Sequence, residues 1–388
     1  MSNIFEHKHI VFAFEHYNPL GIVRSLGEHG IKPICIIVKD PNPITSKSKY
    51  VSVLHLVDST EDGYQLLLAE YGKEVLKPFV YTADDNTTNV LDSRYEELKD
   101  RFYFYNAGAA GRIAEFQNKY NILQMASKHG INYLKTYAVN KGEIPEGLEY
   151  PIITKAIIST VDNWKGDMII CNNEAELKAA YEVIGSERVL LQKYIKKKNE
   201  LVMEAFSVNK GKNVVITIAS TYNYLLHDSY SPYMTVNNLK DANLEAKIKA
   251  MLEDIGFEGI FEVELLVDQD DSLYFLEINF RNSTWSYAST IAGMNLPVSW
   301  AEGMLAPETT ENAWKKIDFP FTAMVEIDDY RCRVKTGQIT LAAWIKDFFN
   351  TKCKYYCSAS NDYWPVISLG IGKVLRKLSK KVDVNENR

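Results

Sequence analysis

The chain has 388 residues, 46% apolar and 24% charged, which is long enough for two or more subdomains with separate cores. Its 44 basic and 50 acidic residues leave a net charge of −6. That excludes the electrostatic footprint of a nucleic-acid binder and leaves room for a small anionic ligand held by a few local cations.

Five scattered cysteines (Cys35, Cys171, Cys332, Cys353, Cys357) are an odd number, unlike a disulfide framework, and suit a reducing cytosol. The CxxxC pair Cys353/Cys357 has no nearby histidine or second pair and reads as two ordinary thiols. The chain opens without a long apolar h-region, and no apolar run is long enough to span a bilayer. A cytosolic protein is expected.

In chain order, HIVFAFEH reads as a buried strand. NPLGIVRSLGEHGI follows as a helix, with Leu20, Val23 and Leu26 at helical spacing and Gly30 at its stop. KPICIIV is a second buried strand and KPFVYTADD a later one. Strand, helix, strand implies a right-handed parallel crossover, hence a small open α/β domain over residues 1–115. No GxGxxG follows the first strand, so a Rossmann dinucleotide site is not supported.

From Asn118 a helix runs through KYNILQMASKHG to Gly130. YPIITKAII is a strand with one lysine, Lys155, in an otherwise apolar context. STVDNWKGD reads as a polar loop, EAELKAAYEVI as an amphipathic helix, and VLLQKYI, ELVMEAFSV and NVVITIAST as strands. NLEAKIKAMLEDIGF is a helix, two charged strands follow, and NLPVSWAEGML lies on a further helix. This is an α+β pattern with antiparallel strands, divided here into 116–195 and 196–310.

Residues 311–388 form an aromatic-rich extension with a basic tail, in which Leu369, Val374, Leu375 and Leu378 alternate with Lys373, Arg376, Lys377, Lys380 and Lys381. The favoured reading is a terminal helix docked on the protein with a solvated basic face. The other is weak contact with an anionic membrane surface.

The charged strands carry the chemistry. In FEVELLVDQDDSLYFLEINFRNSTW, side-chain alternation puts Glu262 and Glu264 on one face of the first strand, and Glu277, Asn279 and Arg281 on one face of the second. Leu276, Ile278 and Phe280 are expected on the opposite, apolar face. The DQDD turn sets Glu264 across from Glu277. Two converging carboxylates and an amide oxygen need a cation between them, and Mg²⁺ suits such oxygens while sharing its shell with phosphates. An arginine fork beside them suits a phosphate oxygen. The plain alternative is a hairpin with its charges on the wet side. Asn279 in the middle of an apolar strand speaks against it.

ELL, a turn and YFLEINFR resemble the metal-binding end of the ATP-grasp fold of carbamoyl-phosphate synthase, biotin carboxylase and D-alanine–D-alanine ligase. The resemblance extends, in the family's order, from Asn118 to Leu305. It implies a small open α/β (pre-ATP-grasp) domain followed by an ATP-grasp fold of two α+β subdomains. It also implies ATP with Mg²⁺, for which Mn²⁺ could substitute, and a homodimer. Lys119 and Lys155 resemble the two phosphate lysines, and WKGD, with Lys165, stands where the family has a mobile loop over the triphosphate. Gln192, Lys193, Tyr194 and Ile195 resemble the adenine strand, and Glu200 the ribose acid. Glu264, Glu277 and Asn279 take the metal, and Arg281 the γ-phosphate. Gln192 stands where the family usually has an acid, Phe280 where a proline usually follows EIN, and the phosphate loop has one glycine rather than several.

The activity so implied is ATP-dependent joining of a carboxylate to an amine through an acyl phosphate, with ADP released, on an amino acid or a cell-wall or polysaccharide precursor. Asn282 and Ser283 follow the metal strand and either line the reacting centre or cap the next helix. The alternatives are a bicarbonate-activating carboxylase or carbamoyl-phosphate-type enzyme, and a non-catalytic nucleotide-binding protein.

Overall fold

The computed structural model describes residues 3–157, 164–226, 230–357 and 362–369. Its first unit is a four-stranded parallel sheet of β1 (His9–Phe14), β2 (Ile34–Val38), β3 (Val53–Val57) and β4 (Phe79–Thr82), in the order β3-β2-β1-β4. β1 and β2 are buried on both faces, as a covered parallel sheet requires, which is why they read as unbroken apolar runs.

Helix α1 (Tyr17–Glu28) packs Val23 and Leu26 on the Val11, Cys35 and Ile37 face. Helix α2 (Thr60–Tyr71) packs Tyr64 and Leu67 on the Ile10, Phe12 and Ile36 face. Gly30, with φ at 92°, lies just past the end of α1, as its spacing predicts. Helix α3 (Asp85–Asp92) follows β4, capped by Asp84, and α4 (Tyr95–Leu98) is a single turn.

Helices α5 (Arg112–Gln117) and α6 (Lys119–Lys128) lead into an antiparallel sheet of four strands. These are β5 (Thr136–Asn140), β6 (Ile152–Ala156), β7 (Ile170–Cys171) and β8 (Arg188–Lys193), ordered β5-β8-β6-β7. Helix α7 (Glu174–Val183) buries Leu177, Ala180 and Tyr181 against Val139, Ile152, Val189 and Leu191. Alternation along β6 buries Ile152, Thr154 and Ala156 and leaves Ile153 and Lys155 on the half-buried side.

The third unit is a seven-stranded sheet. β9 (Asn199–Val208) and β10 (Asn213–Tyr222) are long antiparallel neighbours, flanked by β11 (Tyr233–Asn237) and β12 (Gly259–Val267). β13 (Leu273–Asn279) forms a hairpin with β12 through the DQDD turn, where Asp271 takes a φ of 67°. Helix α8 (Ala242–Ile255) is capped by Asp241, ends at Gly256 and covers the apolar side with Ile248, Met251, Leu252 and Ile255. Helices α9 (Ser286–Ile291) and α10 (Leu296–Leu305) follow the hairpin.

Beyond residue 310 the chain adds two further strands to this sheet, β14 (Phe321–Met324) beside β11 and β15 (Cys353–Lys354) beside β14. Helices α11 (Glu326–Asp329) and α12 (Leu341–Asn350) lie between them. Buried Arg24 of α1 binds Asp362 and the carbonyls of Tyr355, Tyr356 and Asp362, tying the extension to the first unit. The Glu326 carboxylate accepts the backbone N–H groups of Tyr355, Tyr356 and Cys357. All five cysteines are unpaired as thiols. From residue 370 on, the basic tail lies outside the described residues. Among the described residues no helix is long and apolar enough to cross a membrane.

Candidate active site

The hairpin register sets Glu264 opposite Glu277 and Glu262 opposite Asn279, and β9 sets Glu204 opposite Glu262. Directly opposed residues project to the same face, so these side chains share one side of the sheet with Glu200. The other side carries Val263, Leu265, Phe275, Ile278 and Phe280 in the core.

Leu276 departs from expectation. A β-bulge pairs Glu264 with Glu277 but Leu265 with Phe275, leaving Leu276 as the extra, half-buried residue. One inserted residue reverses the alternation locally. Phe275 therefore enters the core while Glu277 keeps its place on the acidic face.

Asn279 bridges the cluster. Its Nδ2 donates to Glu262 Oε1 at 3.0 Å and to Glu264 Oε1 at 3.1 Å, and its Oδ1 accepts from Arg281 at 3.1 Å. Burial, and then Glu277 and Glu262, push the Glu264 carboxyl well above its ordinary range. Burial works the same way on Glu277, but Lys119, Lys155 and Arg281 outweigh it and hold Glu277 below its usual value. The hairpin thus carries more buried carboxylate than its own cations neutralise. Two carboxylates and an amide oxygen suit Mg²⁺, which takes one or two carboxylates and completes its shell with water and phosphate, once the Asn279 amide turns its Oδ1 from Arg281 toward the carboxylates. Among the described residues no group of three or more His, Cys, Asp or Glu forms a closed cation cage.

Both expected phosphate lysines converge here. Lys119 opens α6, whose first turn is capped by the Asn118 side chain, and its Nζ lies 2.5 Å from Glu277 Oε2. Burial lowers the Lys119 ammonium, but Glu277 more than offsets this and leaves it raised. Its backbone N–H donates to the Ile157 carbonyl at the end of β6. Lys155 donates to Gln192 Oε1 at 2.7 Å, and Gln192 in turn donates to Thr136 Oγ1 at 2.9 Å. Burial, then the charge of Lys119, bring Lys155 down to about 8.

Lys193 and Tyr194 continue β8 through backbone bonds to Lys135 and Pro151. Together with Ile195 they lead from the small sheet to β9, where Glu200 is buried and accepts from Lys197. The Lys165 side chain and the loop before it lie outside the described residues.

Arg281 donates through Nε to Asp85 Oδ1 at 2.8 Å, joining the hairpin to the first unit. Asn282 is buried, with its N–H on the Thr82 carbonyl and its Oδ1 accepting from Tyr105. Ser283 Oγ lies between two carboxylates, Glu204 and Glu262, and Ser286 also donates to Glu204. One hydroxyl hydrogen cannot serve two carboxylates, so one of the pair holds a proton. Burial, followed by the charge of Glu204, pushes Glu262 up to about 8. Asn282 and Ser283 are thus engaged with the protein itself.

Asp85 and Glu204 are site residues that the sequence reading left out. Each had a signal: TADD follows a strand at the carboxyl edge of a parallel sheet, where ligands gather. Glu204 is a charge inside the apolar run VMEAF, the same kind of anomaly as Lys155.

Residues 124–290 match the family model of the ATP-grasp domain. The chain is 29% identical over 138 residues to the N5-carboxyaminoimidazole ribonucleotide synthase of Staphylococcus aureus (strain COL), covering 34% of this chain and 35% of that protein. The match therefore spans about a third of the length of the curated relatives. Among solved structures, the chain resembles N5-carboxyaminoimidazole synthetase from Staphylococcus aureus, with a TM-score of 0.64 at 15% identity over 85% of this chain and 86% of that one. It also resembles an L-amino acid ligase from Bacillus licheniformis, with a TM-score of 0.63 at 14% identity over 82% and 80%. The synthase from Aspergillus clavatus in complex with ADP and 5-aminoimidazole ribonucleotide gives 0.63 at 18% over 82% of both chains. At these identities the structural likenesses are of fold. The family match is confined to residues 124–290, which are similar to an ATP-grasp domain, and the chain as a whole shares the fold of these structures.

Proposed function

We propose that the protein is an ATP- and Mg²⁺-dependent, ADP-forming ligase that activates a carboxylate as its acyl phosphate and joins it to an amine. The observation that carries this reading is the convergence of Lys119 and Lys155 on the face where Glu264 opposes Glu277. Glu264, Glu277 and Asn279 would hold Mg²⁺, which supplies charge neutralisation on the transferred phosphoryl group. Lys119, Lys155 and Lys165 hold the phosphates. Gln192, Lys193, Tyr194 and Ile195 border the base, and Glu200 the ribose. Arg281, held between Asp85 and Asn279 through Nε and Nη2, would take a phosphate oxygen through Nη1, which has no partner among the described residues. Asn282 and Ser283 fix the chain just past it, so that the reacting groups meet a rigid wall. Catalysis here is positioning and charge stabilisation, with no nucleophilic side chain required.

A second reading has a specific observation behind it. The curated relatives are named for making a carboxyamino product, so bicarbonate could be the carboxylate that is activated. The discriminating experiment measures ADP release from Mg-ATP across a panel of amino acids and small carboxylates, with and without bicarbonate. Turnover that needs an amino acid or carboxylate and ignores bicarbonate supports the first reading. Bicarbonate dependence selects the second, and tight ATP binding without turnover on any pair would overturn both.

A further inference from the structure

β3 is the outer strand of the first sheet, with β2 on one side and no described strand on the other. Soluble proteins usually guard such an edge with a lysine, a proline, a bulge or a cover. β3 has none of the first three. Its five residues read VLHLV and pair with β2 in unbroken register. Val53, Leu54 and Leu56 are 43%, 37% and 47% exposed.

That sequence is the same read in either direction about His55. An antiparallel copy related by a two-fold axis at His55 therefore places Val53 across from Val57 and Leu54 across from Leu56, each pair formed twice. Opposed residues share a face. The leucines would meet on the side of the sheet that faces α1. The valines and the two imidazoles would meet on the side that faces α2, where Tyr71 already holds each His55 ring at 2.7 Å.

The flanks obey the same symmetry. Lys47 and Lys49 precede the strand, and Asp58, Glu61 and Asp62 follow it, so the two-fold sets each basic end against an acidic one. At the acidic end Lys39 and Arg94, which pairs Glu61 at 2.6 Å, offset two of those charges and leave a single net negative charge.

We propose that β3 is a dimerisation edge. Two copies of the chain pair their β3 strands antiparallel about His55 and merge two four-stranded sheets into one of eight. A second copy is the occupant because hydrophobic order and charge order are both self-complementary, which an unrelated strand would have to match by separate design. Asp85 and the cleft adjoin β4, at the opposite edge of the sheet, so pairing at β3 leaves the cleft open. The inference does not depend on which reaction the cleft performs.

Sedimentation velocity on the full chain at tens of micromolar tests it. The wild type is expected to run as a dimer that dissociates on dilution, and Leu56→Lys as a monomer that still gains thermal stability from Mg-ATP. Should Leu56→Lys fail to fold by circular dichroism, Lys49→Glu carries the test. It is expected to weaken the dimer, with Asp58→Lys added to it restoring association. Oxidised His55→Cys is expected to give a covalent dimer, because only the axial residue meets its own copy, whereas Val53→Cys is not. A wild type that stays monomeric, or a dimer indifferent to both Leu56→Lys and Lys49→Glu, overturns the proposal. So does cross-linking through Val53→Cys but not His55→Cys.

Discussion

Lys119 at the start of α6 and Glu277 on β13 hold each other at 2.5 Å, across 158 residues of chain. The pair joins the helix that precedes the small sheet to the acidic face of the large one. Each charge is held in its ionised form by the other, against burial that opposes both. A phosphate and its cation arriving at this point would find both partners already charged.

Glu277→Gln keeps the shape and removes the charge. Mg-dependent ADP formation is expected to fall by at least on the order of a hundredfold, with the melting profile retained. Near-normal turnover would remove Glu277 from the cation set.

Lys155 gives a pH signature. With its ammonium held down to about 8 by burial and by Lys119, it loses its proton as pH rises through that value. A triphosphate favours the charged form, so ATP binding should take up a proton near that pH and weaken on the alkaline side. Titration calorimetry in buffers of different ionisation enthalpy reads both effects. Lys155→Arg is expected to flatten the dependence, and a flat wild type would detach Lys155 from the phosphates.

Arg281 and Asp85 couple the hairpin to the first unit. A double-mutant cycle of Arg281→Ala and Asp85→Asn, read by urea unfolding, should return about 1–2 kcal/mol of coupling. Only the arginine change is expected to abolish turnover. Equal loss in both variants would make Asp85 part of the chemistry rather than of the docking.

Arg24 and Asp362 are fully buried partners. Arg24→Met leaves the Asp362 carboxylate and three backbone carbonyls without their donor, and should cost about 3–5 kcal/mol in urea unfolding. A loss below about 1 kcal/mol would show that the extension is held mainly by β14 and β15.

Where one residue type in one pattern had a single physical explanation, the sequence was legible. Buried parallel strands β1, β2 and β4 announced themselves as apolar runs, and α8 by its amphipathic period. β3 and β5 were missed because edge strands are half exposed and lack that signal. The bulge at Leu276 escaped because an inserted residue leaves no mark on composition.

The chain alone determined that Glu264 and Glu277 would face each other, since alternation and a tight turn are local rules that a few residues satisfy. It also determined the order in which Lys119, Lys155 and the hairpin come. Only the tertiary structure decided that Asp85 would reach Arg281, that Glu204 would share Ser283 with Glu262, and that Lys119 would hold Glu277. Such pairings depend on how separate sheets pack, and burial makes each charge seek whichever partner packing brings near, which no local spacing encodes.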